Sequence, residues 1–183
     1  MGEIADRYRR VAAQFSQRVD GVPDGRWDDP APPEGWVARD VVGHLTSWLP
    51  DYFFATWDLD APRPPDAAVD PVGSWRSLDA AIQAALDDPE VAGRRRDTRM
   101  GDQSFEDQID MICTPDVLAH TWDLARATGQ DETLDAVEVH RFVASMEPMD
   151  ELLRTSGHYG PRVPVADDAD EQTRMIAFLG RQP

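Results

Sequence analysis

The sequence predicts an all-α fold, a four-helix bundle with extra short helices and long loops, on three observations. Apolar residues recur at helical spacing in segment after segment, as Ile4, Tyr8, Val11 and Phe15 do at i, i+4, i+7 and i+11. No convincing run of alternating apolar and polar residues marks a strand, and no internal repeat is visible. Clusters of Pro, Gly and Asp separate the segments, as breakers between helices should. At 183 residues the chain fits one domain, positions 1–183.

The first helix carries the Ile4–Phe15 stripe and ends at Asp20-Gly21-Val22-Pro23. A loop to Gly35 holds one large apolar residue, Trp27. The second helix opens around Trp36 and carries Val37, Val41, His44, Leu45 and Trp48. Pro50 stops or kinks it, with Tyr52, Phe53 and Phe54 able to extend it by another turn. Asp58 to Gly73 is rich in Pro and aperiodic, a long connection of the kind that often lines a functional mouth. Trp75, Leu78, Ile82 and Leu86 form the third stripe, ended by Asp87-Asp88-Pro89. Glu90 to Gln103, with Arg94-Arg95-Arg96, reads as irregular. Phe105, Ile109 and Ile112 begin a fourth segment. It runs through, or restarts at, Thr114-Pro115, a pair suited to an N-cap and first helical position. It continues to Thr128, with Gly129 as the residue that ends it. Leu134–Met146 is the fifth helix, and Met149–Leu153 a short turn after Pro148. Arg162 to Val165 is extended, and Asp168 or Asp170 caps a last helix holding Met175, Ile176, Phe178 and Leu179.

Charge narrows the partners. Lys+Arg number 18 against 35 Asp+Glu, a formal net charge of −17. Phosphate backbones and anionic lipid surfaces are held by cations, so neither nucleic acid nor a membrane is expected. Every basic residue is Arg. Without Lys there is no Schiff-base chemistry and no GK[ST] phosphate loop. Asn is absent too, which removes N-glycosylation and a Cys-His-Asn triad. A single cysteine, Cys113, excludes an internal disulfide and a Cys-rich zinc cluster. The N-terminus starts on an amphipathic pattern rather than a signal-peptide core, and no stretch approaches the ~18 apolar residues of a membrane span. The expected location is the cytoplasm.

One constellation could carry chemistry. Asp116 and His120 stand at i and i+4, on one helix face. A carboxylate oxygen and an imidazole nitrogen so placed can converge on one metal; they can equally be a dipole-favoured Asp and an unrelated His. His44 falls on the apolar stripe of its helix, as a core histidine or as a third ligand. If it faces Asp116 and His120, three ligands converge with an open position, the pattern of catalytic zinc.

Here the residues resemble a known family. Gly35-Trp36-Val37-Ala38-Arg39-Asp40-Val41-Val42-Gly43-His44-Leu45 is similar to the W-x-x-x-D-x-x-x-H-L signature of the DinB-like metalloprotein superfamily. The branch it resembles is the one related to the N-terminal domain of mycothiol-dependent maleylpyruvate isomerase. Asp116 to His120, extended through Trp122, Asp123, Arg126 and Gly129, resembles the D-x-x-x-H-x-W-D-L-A-R-A-x-G block of small metal-binding proteins in that branch. Gly160 to Val165 and Phe178-Leu179-Gly180-Arg181 are similar to the ending of the same group. The resemblance implies a four-helix bundle holding a divalent metal, zinc with nickel as the alternative, on His44, Asp116 and His120. Asp116 occupies the place where relatives present Glu or His.

The resemblance also implies a thiol cosubstrate such as mycothiol. The expected function is a metal-dependent thiol transferase or isomerase acting on a small electrophile, with a homodimer left open. The alternatives are a thiol-independent hydrolase, lyase or cyclase, and a non-catalytic metal-binding protein. Asp123 and His158 are the candidate catalytic residues and Arg126 the candidate cofactor-binding residue. Asp123 either fixes the tautomer of His120 or pairs on the surface with Arg126. His158 either overhangs the pocket or lies on the surface. Cys113 is expected in the core, His140 in solvent, and Trp48 and Trp122 in the packing. The Arg94–Arg96 run is a solvated loop or an anion-binding cluster.

Overall fold

A computed structural model describes residues 2–98, 100–155 and 160–183. The chain is mostly helical. Helix α1 (Glu3–Asp20) buries Tyr8, Val11, Phe15 and Val19 along one face. Helix α2 (Ala38–Leu49) buries Val41, Val42, Leu45 and Leu49. Helix α3 (Pro71–Asp87) begins one turn before its apolar stripe, because the Asp70 side chain accepts from Gly73 N at 2.8 Å. Helix α6 (Thr114–Thr128) is the most enclosed, with residues buried on nearly every side. α1 packs on α3 and α6, and α2 packs on the same two helices, so the four contacts close a ring. Phe15 and Trp75 meet edge to face at 4.6 Å within it, and the Trp75 indole N–H donates to Ser16 Oγ at 2.8 Å.

Residues 90–103 depart from the expected irregular loop. Helix α4 (Pro89–Ala92) is followed by an antiparallel hairpin of β1 (Arg95–Thr98) and β2 (Gly101–Ser104), with Arg95 opposite Ser104 and Thr98 opposite Gly101. Its strands are four residues long and largely exposed, so no apolar alternation betrays them.

Both proline positions in the site-bearing helices are passed rather than obeyed. α2 continues into a π-helical turn, Pro50–Ala55. Helix α5 (Phe105–Gln108) runs through a second π-helical turn, Ile109–Cys113, into α6. Thr114 is helical (φ −62°, ψ −46°) and its hydroxyl donates to Ile109 O at 2.9 Å, so it is not an N-cap. The wider turn accommodates Pro115, whose ring would clash with the carbonyl four residues back in an ordinary α-helix. Gly129 ends α6 at φ +70°, a left-handed conformation that suits glycine.

Helix α7 (Ala136–Met146) starts two residues after Leu134, where Asp135 caps Val137 N at 2.9 Å. Helix α8 (Asp150–Thr155) is followed, across the undescribed stretch, by Arg162–Val165 without strand pairing. Asp170, not Asp168, caps helix α9 (Glu171–Phe178) through Thr173 N at 2.7 Å. Among the described residues, no helix is long and apolar enough to cross a membrane.

Candidate metal centre

Asp116, His120 and Asp123 project from one face of α6, since steps of four and three residues return to the same side of a helix. α2 lies against that face and contributes His44. His44, Asp116 and His120 each offer one ligand atom, and these atoms all lie within 4.8 Å of one another. His44 Nε2 is 3.6 Å from Asp116 Oδ2, and His120 Nε2 is 3.5 Å from Asp116 Oδ1. Two ligands bonded at about 2.1 Å to a tetrahedral ion stand about 3.4 Å apart, so both pairs already approximate an edge of such a site. Asp116 Oδ2 is buried and accepts no hydrogen bond, an orphaned carboxylate oxygen that a cation would satisfy. Two imidazoles and one carboxylate are a donor set that suits zinc. The residues fit a divalent metal.

Access is graded across the cluster. The side chains of His44 and Asp116 are 34% and 26% exposed, that of His120 only 5%. His44 thus sits at the edge of the α2 stripe rather than deep within it. His120 is anchored from behind, its Nδ1 lying 2.9 Å from Asp123 Oδ2. When that contact is an N–H donated by His120, the lone pair of Nε2 is left facing Asp116, the orientation a ligand requires. Burial alone would push the His120 pKa down. The charges and hydrogen bonds of Asp116 and Asp123 outweigh it, and the net shift is upward from 6.5.

Asp123 is fully buried, so the surface pair with Arg126 is overturned. It pairs instead with Arg181, whose Nε and Nη2 lie 3.1 and 2.9 Å from Oδ1 and Oδ2. Burial would raise the Asp123 carboxyl, but the hydrogen bonds from His120 and Arg181 hold it below its usual range. Arg126 lies six residues past His120, about 120° around the helix. Its guanidinium is held by Glu132 at 2.6 and 2.7 Å and covers the Trp122 ring at 4.5 Å, so its partners lie away from the cluster. His158 falls outside the described residues.

The remaining candidates find ordinary places. Cys113 is fully buried, and burial, reinforced by the charges of Asp116 and Asp79, pushes its thiol well above the usual range. His140 is exposed and pairs with Glu171 at 3.0 Å. Arg94 donates to Trp57 O at 2.9 Å, Arg95 pairs with Asp102 at 2.7 Å and Arg96 with Asp58 at 2.6 Å. Arg95 is thus taken up within the hairpin, and Arg94 and Arg96 by Trp57 and Asp58 beside it.

Two residues beside the cluster carry more than their sequence position announced. Trp36 stacks on His120 (5.9 Å, 20°) and leans on His44 at 5.1 Å, forming a wall over both rings. The Trp48 ring also lies near His44, at 6.0 Å, and its buried indole N–H has no hydrogen-bond partner. The eight-residue separation of Trp36 from His44 is part of the W-x-x-x-D-x-x-x-H-L likeness, but helical spacing does not bring the two rings together, because Trp36 precedes α2 and the extended Val37 lies between. For Arg181, nothing in the spacing points to Asp123.

No family model matches the chain. It is similar to two proteins of Mycobacterium tuberculosis, one from strain CDC 1551 / Oshkosh and one from strain H37Rv, both named only as uncharacterized. Each is 24% identical over 177 residues, covering 95% of this chain and 95% of the relative. No solved structure matches.

Proposed function

We propose that this protein is a divalent-metal enzyme with a DinB-like four-helix bundle, in which His44, Asp116 and His120 hold zinc, or alternatively nickel. Its reaction is thiol transfer to, or thiol-assisted isomerisation of, a small electrophile, with a mycothiol-type cosubstrate. The observation that carries this reading is the convergence of three ligand atoms from α2 and α6 within 4.8 Å, around a carboxylate oxygen with no hydrogen bond. The closed ring of α1, α3, α2 and α6 supports the bundle, and the likeness of the two histidine-bearing segments to that superfamily supports the thiol chemistry.

A bound divalent ion supplies the positive charge that brings a thiol's proton off near neutral pH. The chain's own residues do the rest. Asp123 orients His120 through Nδ1. Asp116 contributes the one negative charge of the ligand set and faces both imidazoles. Trp36 and Trp48 border His44 with aromatic surface, which favours an apolar or unsaturated substrate and keeps water off that side. The partly exposed His44 and Asp116 give small molecules an approach.

A thiol-independent hydrolase, lyase or cyclase is the second reading. The partly exposed side chains of His44 and Asp116 favour it, because water can reach the same site. The two readings separate when zinc-loaded protein is offered mycothiol and an activated haloarene such as 1-chloro-2,4-dinitrobenzene, alongside a panel of small esters and lactones. Turnover that needs both metal and thiol is expected. Metal-dependent turnover indifferent to thiol selects the second reading, and metal binding with neither thiol binding nor turnover defeats both.

A further inference from the structure

The end of the chain reaches back to the metal centre. α9 stops in a Schellman turn, with Gly180 at φ +79°, Gly180 N donating to Ala177 O at 3.0 Å and Arg181 N to Ile176 O at 3.1 Å. The positive φ suits glycine, and a Cβ at this position would lie 3.1 Å from Pro161 O. The turn aims Arg181 at α6. Its Nη1 donates to Leu179 O at 2.8 Å, which fixes the guanidinium against its own turn. Nε and Nη2 then grip both oxygens of Asp123.

This clamp acts on the atom that orients a ligand. Asp123 Oδ2 receives Arg181 Nη2 at 2.9 Å and faces His120 Nδ1 at the same distance. A buried carboxylate needs compensation for its charge, and a neutral imidazole N–H supplies only part of it. His120 must be neutral to ligate a metal, so compensation has to come from elsewhere. Arg181 provides it with a planar fork that also fixes the carboxylate's rotation. Without the fork, Asp123 keeps a single donor, is free to turn, and no longer holds the imidazole in one orientation.

We propose that Arg181 is a positioning residue for the metal centre, clamping Asp123 so that His120 keeps its Nε2 directed at the ion. The inference rests on the metal-site reading above and extends it to the end of α9. Zn²⁺ affinity is to be measured by chelator competition for the parent, Arg181→Ala, Arg181→Lys, Asp123→Asn and the double variant Arg181→Ala/Asp123→Asn, with circular dichroism confirming the fold.

The expected result is weaker binding in Arg181→Ala, toward the low end of the about 10- to 100-fold cost of losing a group bonded directly to a ligand, the position that Asp123 holds. Arg181→Lys recovers part of the loss, because it restores charge without the fork. In the Asp123→Asn background, removing Arg181 costs little more, since both act through one contact. If Arg181→Ala does not fold, Arg181→Lys still answers, with weakened binding in a folded protein expected. Parent-like affinity in a folded Arg181 variant overturns the inference, and so do losses that simply multiply in the double variant. A parent that binds no zinc defeats the metal-site reading itself, and the two failures are thereby distinct.

Discussion

His44 Nε2 faces Asp116 Oδ2 at 3.6 Å across the contact between α2 and α6, so an ion shared by the two would tie together helices distant in sequence. Binding to the folded state alone stabilises it by about 2.7 kcal/mol at a free concentration 100 times Kd. For a chain of this length that is roughly a 5–10 °C rise in Tm. Thermal unfolding with Zn²⁺ and with excess chelator should differ by this order. Identical curves would mean that the two helices share no ion.

The dependence on pH should have opposite signs with and without metal. The folded His120 pKa is raised above 6.5, so its proton favours the metal-free fold. That contribution is complete below the unfolded pKa and lost as pH rises through the folded one. Metal demands neutral rings, so its stabilisation grows over the same interval. Tm should therefore fall with rising pH in chelator, and the gap between metal-loaded and metal-free curves should widen. His120→Gln should lose both trends, and parallel curves in the parent would contradict the account.

Trp36 should report occupancy. Its ring lies 5.1 and 5.9 Å from the rings of His44 and His120, within quenching reach of a paramagnetic ion. Titration with Ni²⁺ should quench part of the tryptophan emission with a single midpoint. Trp36→Phe should reduce that quenching while bound nickel stays near one per chain. Undiminished quenching would place the ion elsewhere.

Cys113 should be inert. It is fully buried, and burial pushes its thiol well above the ordinary range. A disulfide reagent such as DTNB should leave the native protein unlabelled over minutes and react with one thiol in denaturant. Rapid native labelling would show the core beneath the site to be open.

The helices were legible because their apolar stripes repeat: Tyr8, Val11 and Phe15 of α1, and Leu78, Ile82 and Leu86 of α3, all point inward. Two of the three metal candidates, Asp116 and His120, were legible for a related reason, since their i, i+4 step survives in any helix, whereas the apolar stripe around His44 fitted a core residue as well as a ligand. The hairpin at 95–104 was not, because its strands bury almost nothing. Thr114-Pro115 carried the residues of a helix start, and tertiary packing overrode them with a π-helical turn. The pairing of Asp123 was open in the sequence between a role behind His120 and a bond to Arg126. The choice belongs to Arg181, 58 residues away, which no local pattern reveals.

The central claim is that one divalent ion is shared by His44, Asp116 and His120. Elemental analysis of the parent beside His44→Ala, Asp116→Ala and His120→Ala, each confirmed as folded, tests it directly. The account expects close to one zinc or nickel per chain in the parent and a large loss in every variant. Undiminished metal in any one of them, or a parent that retains none after incubation with either ion, would contradict it.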